Sequence, residues 1–308
     1  MNSKLNVIFM GSGLYGSKVL NSLDLSKIDI LNVFTKYSKV KSRDYKEENF
    51  SKIDMGNLIR VSRFSEDTIN LIKKANPDLI IVASFGLLLP ESILNIPKFG
   101  VINVHPSLLP KYRGPSPIVS SIIDGIPFTG VTIMKMVKEL DAGPIIEQEK
   151  ITLDSNINSN ELGVKLFGIG AKILNRLFDK IIKNQHSEIE QDHTQATFTS
   201  IIDKSDGQIK WEDRVDIIYR KFKAYNLWPG TYTYWDEKRL IFNDFSIKKS
   251  DVSKNDISKV LALKDGELII SANGGYICVA NLQIEGKKSL QATDFVNGRP
   301  NIIGTYLI

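Results

Sequence analysis

Short apolar runs ending in Gly, Thr or Ser recur through the first third of the chain as "LNVIFM", "ILNVFT" and "DLIIVASFG", separated by stretches of helical spacing such as Ser65 to Ala75. Runs this short without strict alternation suit strands buried on both faces, and strands separated by helices pair in parallel. The rhythm predicts an α/β domain with a Rossmann-like parallel sheet. "GVINVH" and "FTGVTIMKMV" supply two further strands. From Asn160 to Asn184, apolar residues repeat at three-and-four spacing, with Asn158, Ser159 or Asn160 available as N-cap. A long amphipathic helix there closes a first domain over 1–184.

Residues 185–205, within "QHSEIEQDHTQATFTSIIDKSDG", have little periodicity and many polar side chains, which reads as a linker. The pattern changes at Asp206. "TYTYW", "RLIFNDFSI", "GELIISA" and "GYICVANLQI" are short β-rich runs divided by "DEK", "KDG" and "NGG" turns, after one helical stretch from Val215 to Tyr225. A smaller C-terminal β-barrel, oligonucleotide-binding-like (OB-like), is expected over 206–308.

Length and composition agree with this division. A chain of 308 residues, 42% hydrophobic and 24% charged, has room for two ordinary globular domains. The single cysteine, Cys278, excludes an internal disulfide framework and a Cys-rich zinc site, and it fits a reducing compartment. The longest apolar run, Leu79 to Leu89, is too short to span a bilayer, and no secretory segment precedes "LNVIFMGSG". A cytoplasmic protein with no membrane partner is the expectation. The net charge of +5 allows a nucleic-acid partner without requiring one.

Gly11, Gly13 and Gly16 in "GSGLYG" form a GxGxxG between a strand and a helix, the context of a dinucleotide fingerprint. The second strand, however, ends "VFTKYSK", with no Asp or Glu for a ribose hydroxyl. A structural glycine turn and an NAD(P)-binding turn both remain open at this point. The three histidines, His105, His186 and His193, share no ligand spacing with one another or with Cys278, so no metal is predicted. A GxSxG nucleophile elbow is absent.

Asn103 and His105 stand two apart at the end of a strand, on one face, where open α/β sheets bind ligands. An amide and an imidazole side by side can stabilise an oxyanion. Asp141, in the Gly-Pro-ended loop "KELDAGPI" after the next strand, can reach the same edge.

The run "INVHPSLLPKYRGPSPI", followed by "TGVTIMKM" and "LDAGPI", resembles the folate-dependent formyltransferase family, in which an Asn, a His and an Asp form the catalytic set. The resemblance implies that Asn103, His105 and Asp141 fill those places. It also implies a folate site bordered by Ser107, Leu108, Leu109 and Pro110, with Phe85, Gly86, Leu87 and Leu88 cradling the pterin through backbone groups. "ATFTSIIDKSDGQIKW", "KAYNLWPGTYT" and "GKKSLQATDFVNGRPNIIGTYL" extend the likeness over nearly the whole chain and look like the members that act on methionyl-tRNA. Sugar-amine formyltransferases share the N-terminal motifs and are the competing reading.

The reaction so implied moves the formyl group of 10-formyltetrahydrofolate to the α-amino group of initiator methionyl-tRNA, for translation initiation. The folate is a co-substrate, and neither a metal nor a tightly held cofactor is implied. The segment "TKYSKVKSRDYKEENFSK" resembles the family's loop to the tRNA acceptor stem, with Arg43 as its key arginine and Lys39, Lys41 and Lys46 beside it. A monomer is the expected state.

Overall fold

The computed structural model describes residues 4–37, 50–51 and 55–308. The chain falls into two compact units. The first comprises Met1–Ile118, Ile126–Asp154 and Glu161–Ile201; the second comprises Val119–Gly125, Ser155–Asn160 and Ile202–Ile308. Arg43, Lys39, Lys41 and Lys46 lie outside the described residues.

In the first unit, β1 (Leu5–Gly11), β2 (Ile28–Lys36), β3 (Leu58–Val61), β4 (Leu79–Ala83), β5 (Val101–His105), β6 (Phe128–Lys135) and β7 (Ile145–Thr152) form one sheet in the order β3-β2-β1-β4-β5-β6-β7. Helices α1 (Gly13–Ser22), α2 (Glu66–Ala75), α3 (Glu91–Leu94) and most of α5 (Ser159–Ile182) connect or follow the strands, while most of α4 (Pro117–Asp124) belongs to the second unit. α2 starts where Ser65 accepts a hydrogen bond from Thr68 N, and it stops at Asn76 in the left-handed region.

Pairing is parallel from β3 to β5, but β6 runs antiparallel to β5 and β7 antiparallel to β6. The parallel sheet expected from the strand-helix rhythm thus holds from β3 to β5, with two antiparallel strands added at its end. β7 follows β6 after residues 136–144, fewer than the dozen or so that a parallel crossover needs, so it returns antiparallel.

Val104 and Val131 on one face of the sheet meet α5 at Gly170, where a β-carbon would lie 2.4 Å from Val104 Cγ1. On the other face Val101, Ile80, Val82, Ile8 and Met10 share a buried cluster with Phe34, Ile72, Phe85 and Ile93. Two-sided burial of β1, β4 and β5 is what their mostly apolar runs specified.

In the second unit, α6 (Val215–Ala224) precedes β8 (Thr231–Trp235), β9 (Lys238–Lys249), β10 (Val260–Lys264), β11 (Glu267–Ala272), β12 (Gly275–Ile284) and β13 (Leu290–Gln291), with α7 (Ala292–Gly298) near the end. The sheet is antiparallel, ordered β10-β11-β12-β9-β8, with β13 on β12. Its two edges are joined by the C-terminal residues. Val260 N bonds Thr305 O on one edge, while Tyr234 and Ile308 exchange backbone hydrogen bonds on the other. Phe242, Phe295, Val260, Leu268 and Leu282, each at most 1% exposed, fill the interior. Among the described residues no helix is long and apolar enough to cross a membrane.

Candidate active site

A β-carbon on Gly11 would lie 2.8 Å from Ala83 O, and one on Gly16 would lie 2.8 Å from Gly11 C, so both glycines are required for β1, β4 and α1 to pack. Between them, Ser12 N donates to Ser84 O, and its hydroxyl accepts from Lys36 N at 2.8 Å and donates to Phe85 O at 3.3 Å. The turn thus joins the loop after β4 to the end of β2, which accounts for its glycines structurally.

Asn103 and His105 leave β5 on the same face as Val101, beside Val82 and Thr132 of the neighbouring strands. Asn103 is half-buried, and among the described residues its amide has no hydrogen-bond partner. His105 is 4% exposed. Its Nε2 lies 2.9 Å from Tyr112 O, and its Nδ1 lies 3.6 Å from Asp141 Oδ2. A carbonyl only accepts, so Nε2 carries a hydrogen, and Nδ1 is the nitrogen free to exchange a proton, on the carboxylate's side.

Asp141 sits in the β6-β7 connection at φ 49°, the left-handed region that a non-glycine residue occupies only when its surroundings hold it there. Its Oδ2 accepts from Gly114 N at 2.8 Å. The connection closes tightly at Gly143, where a β-carbon would lie 1.9 Å from Lys135 O. The structure therefore brings His105 and Asp141 into contact and sets Asn103 on the same strand face.

The Pro-rich loop after β5 is pinned by Ser107, Thr132 and Gln148, the last two of which no sequence motif singled out. Ser107 is fully buried and donates through Oγ to Lys111 O at 2.7 Å. Thr132 Oγ1 donates to Ser107 O at 2.6 Å while accepting from Leu109 N at 3.2 Å and from Gln148 Nε2 at 2.8 Å. Gln148 also donates to Leu109 O at 2.8 Å. Leu108 packs over Gly130, and the Leu109–Pro110 peptide is cis.

The loop after β4 differs. Phe85 is 3% exposed and belongs to the core, Gly86 has φ 71°, and Leu88 is 85% exposed. Among the described residues the backbone N–H groups of Leu87, Leu88 and Leu89 make no hydrogen bond. The two loops leave adjacent parallel strands, since Val82 pairs with Asn103 and Ala83 with Val104.

Residues 189–199, within the segment read as a linker, run back across this unit. Ile189 and Ile145 exchange backbone bonds, Arg113 N donates to Thr197 O, and Thr199 N donates to Arg113 O, the last two at 2.8 Å. Arg113 is 4% exposed, with its guanidinium turned inward. A recess of ≈ 430 Å³ beside the Asp141 turn is lined by Lys135, Val137, Ala142, Glu188, Glu190 and His193, among others. Among the described residues no group of three or more His, Cys, Asp or Glu could hold a metal ion.

Comparison with known proteins places this arrangement. Residues 3–177 match the family model described as formyl transferase, and residues 201–300 match the one described as formyl transferase, C-terminal domain. A methionyl-tRNA formyltransferase of Caldicellulosiruptor saccharolyticus is 35% identical over 304 residues, covering 96% of this chain and 97% of its own. The chain belongs to the methionyl-tRNA formyltransferase family. A second member, from Staphylococcus epidermidis, is 35% identical over 310 residues, covering 98% of this chain and 99% of its own.

Among solved structures, HypX of Aquifex aeolicus in complex with tetrahydrofolic acid superposes with a TM-score of 0.67 at 16% identity, over 96% of this chain and 47% of that one. WlaRD, a sugar 3N-formyl transferase crystallised with dTDP and 5-N-formyl-THF, gives 0.63 at 18% identity, over 93% and 100%. At these identities the structures show the fold shared by this formyltransferase and nothing finer.

Proposed function

We infer that this formyltransferase moves a formyl group from 10-formyltetrahydrofolate to the α-amino group of methionine on initiator tRNA. The observation that carries this reading is similarity over nearly the full length, both domains included, to enzymes named for that reaction. A substrate of that kind puts the reaction in the cytoplasm.

The chemistry is acyl transfer without a covalent enzyme intermediate. The amine nitrogen forms a bond to the formyl carbon, the bond from that carbon to the folate nitrogen breaks, and one proton passes from the attacking nitrogen to the leaving one. In our reading Asn103, whose amide has no partner among the described residues, donates to the oxyanion of the tetrahedral intermediate. His105 takes and returns the proton through Nδ1, while Tyr112 O fixes the opposite nitrogen. Asp141, 3.6 Å away, faces the charge that develops on the ring.

Ser107, Leu108, Leu109 and Pro110 would form one wall of the folate site, and Phe85, Gly86, Leu87 and Leu88 the other. The rigid bonding of the first loop and the open N–H groups of the second support that division of labour. Arg43, Lys39, Lys41 and Lys46 remain proposed contacts to tRNA on sequence resemblance alone.

The test is formyl transfer from 10-formyltetrahydrofolate to methionyl-tRNA and, in parallel, to an amino-sugar nucleotide, using wild type, Asn103→Ala and His105→Ala. Transfer to the tRNA alone is expected, with kcat lowered at least about 10²-fold in each variant. Transfer to the sugar alone would overturn the substrate. Full kcat in both variants would overturn the site.

A further inference from the structure

We propose that Gln191 is a positioning residue for the reaction, its one side-chain amide holding the Asp141 turn to the segment that fixes His105. The proposal rests on the roles given above to His105 and Asp141. Gln191 lies two residues beyond Ile189, whose backbone pairing with Ile145 delivers it beneath the turn. It is 4% exposed. Its Nε2 donates to Asp141 O at 2.9 Å and to Gly143 O at 2.7 Å, two carbonyls that bracket the turn. Its Oε1 accepts from Arg113 Nε at 3.1 Å and from Arg113 Nη2 at 2.7 Å.

Arg113 stands between two residues that touch the proposed catalytic side chains. Tyr112 O meets His105 Nε2, and Gly114 N meets Asp141 Oδ2. A shift of Arg113 therefore moves the partners of both. On the other side of the amide, Asp141 is kept at a positive φ that its own chain disfavours, and bonds to its carbonyl and to the carbonyl two residues on oppose relaxation. Both halves of the amide are needed. A carboxylate has no hydrogen for the two carbonyls, and an ammonium has no acceptor for the guanidinium.

His193 adds to the hold on Arg113. Its Nδ1 lies 3.0 Å from Arg113 Nη2, and since a guanidinium only donates, Nδ1 is the acceptor. Among the described residues the Arg113 side chain bonds Gln191 and His193, neither of them a carboxylate. That asymmetry separates positioning from mere satisfaction of a buried cation. Gln191→Glu keeps an acceptor for Arg113, with a charge that suits it, but removes the donor that holds the turn.

The experiment measures kcat, KM for both substrates and thermal melting for Gln191→Ala, Gln191→Glu, Asp141→Asn and the Gln191→Ala/Asp141→Asn double variant. We expect kcat to fall about 10- to 100-fold in Gln191→Ala, the scale of a misplaced reacting group, with each KM within about threefold of wild type. Gln191→Glu, which returns an acceptor to Arg113, should melt no lower than Gln191→Ala yet keep the kcat defect. In the Asp141→Asn background the added cost of Gln191→Ala should shrink, because the part of its effect that runs through that carboxylate is already lost and only the part through Tyr112 and His105 remains. Wild-type kcat in Gln191→Glu overturns the proposal, as does an equal cost of Gln191→Ala in both backgrounds. Full kcat in Asp141→Asn instead brings down the catalytic reading of Asp141, and the role of Gln191 with it.

Discussion

In the catalytic unit, Thr132, Gln148, Gln191 and Asp141 fix irregular backbone with hydrogen bonds from four side chains. In the second unit, the strands fix one another through the antiparallel ladder, and a single apolar cluster from Ile209 to Leu307 supplies the packing. The contrast lies in direction against magnitude. A hydrogen bond contributes only about 0.5–1.5 kcal/mol net but holds its atoms at one distance and angle, whereas burying one large apolar side chain contributes roughly 1.5–3 kcal/mol with no directional demand. Changes in the first unit should therefore be read mainly in rates, and changes in the second mainly in stability.

The largest effect on stability should come from Phe242→Ala. Phe242 is 1% exposed and stacks edge-on to Phe245 at 6.0 Å, so its removal leaves a cavity in the middle of the second unit. A loss of about 3–5 kcal/mol is expected from urea unfolding, while Asn103→Ala, deadly to the rate, should change stability by less than about 1 kcal/mol. If the two variants lose equal stability, the proposed separation between the units does not hold.

A smaller but more telling effect is expected for Thr132→Val. The two side chains have nearly the same shape, so packing is kept and only the hydroxyl is lost. Ser107 O and Leu109 N then stand buried without their partner, at a cost of about 1–3 kcal/mol. Because those atoms belong to the loop proposed to border the folate, KM for the folate donor should rise several-fold while KM for tRNA stays put. A loss of stability with both KM values unchanged would make Thr132 a structural residue like Phe242, and the contrast would then fail inside the catalytic unit itself.

The same contrast explains what could be read from the amino-acid order. β1, β4 and β5 were legible because burial on both faces writes a mostly apolar run, and Asn103 and His105 stood out as polar residues at the end of one. β7, "IIEQEKIT", was not: it alternates buried or half-buried with exposed positions at the sheet edge and carries charge at its centre. β10 lay hidden in "VLALK", which is too short to signal a period. Gln191 and Arg113 form one unit of function across 78 residues, and no local period reports a partner that distant. Of the three histidines only His105 fell in a recognisable setting. His193 meets Arg113, 80 residues away, a partner that no local spacing reports.

The smallest effect concerns Glu188, three residues from Gln191 on the same returning segment. Burial alone would raise its pKa, but the Lys135 ammonium at 2.9 Å, with His186 adding to it, outweighs burial and holds the carboxyl below its ordinary range. A carboxylate whose folded value is lowered stabilises the fold above its unfolded value, about 4.3, and loses that contribution as pH falls through the folded value. Both partners keep about a third of their side-chain surface exposed, so solvent screens the pair to roughly 0.2–1 kcal/mol. Glu188→Gln should therefore be less stable than wild type by that amount near neutral pH and indistinguishable from it at pH values below both carboxyl values, with kcat unchanged throughout. An altered kcat would mean that the ion pair, and not only the neutral amide of Gln191, sets the Asp141 turn. The polar fixing of the catalytic unit would then extend to its exposed rim.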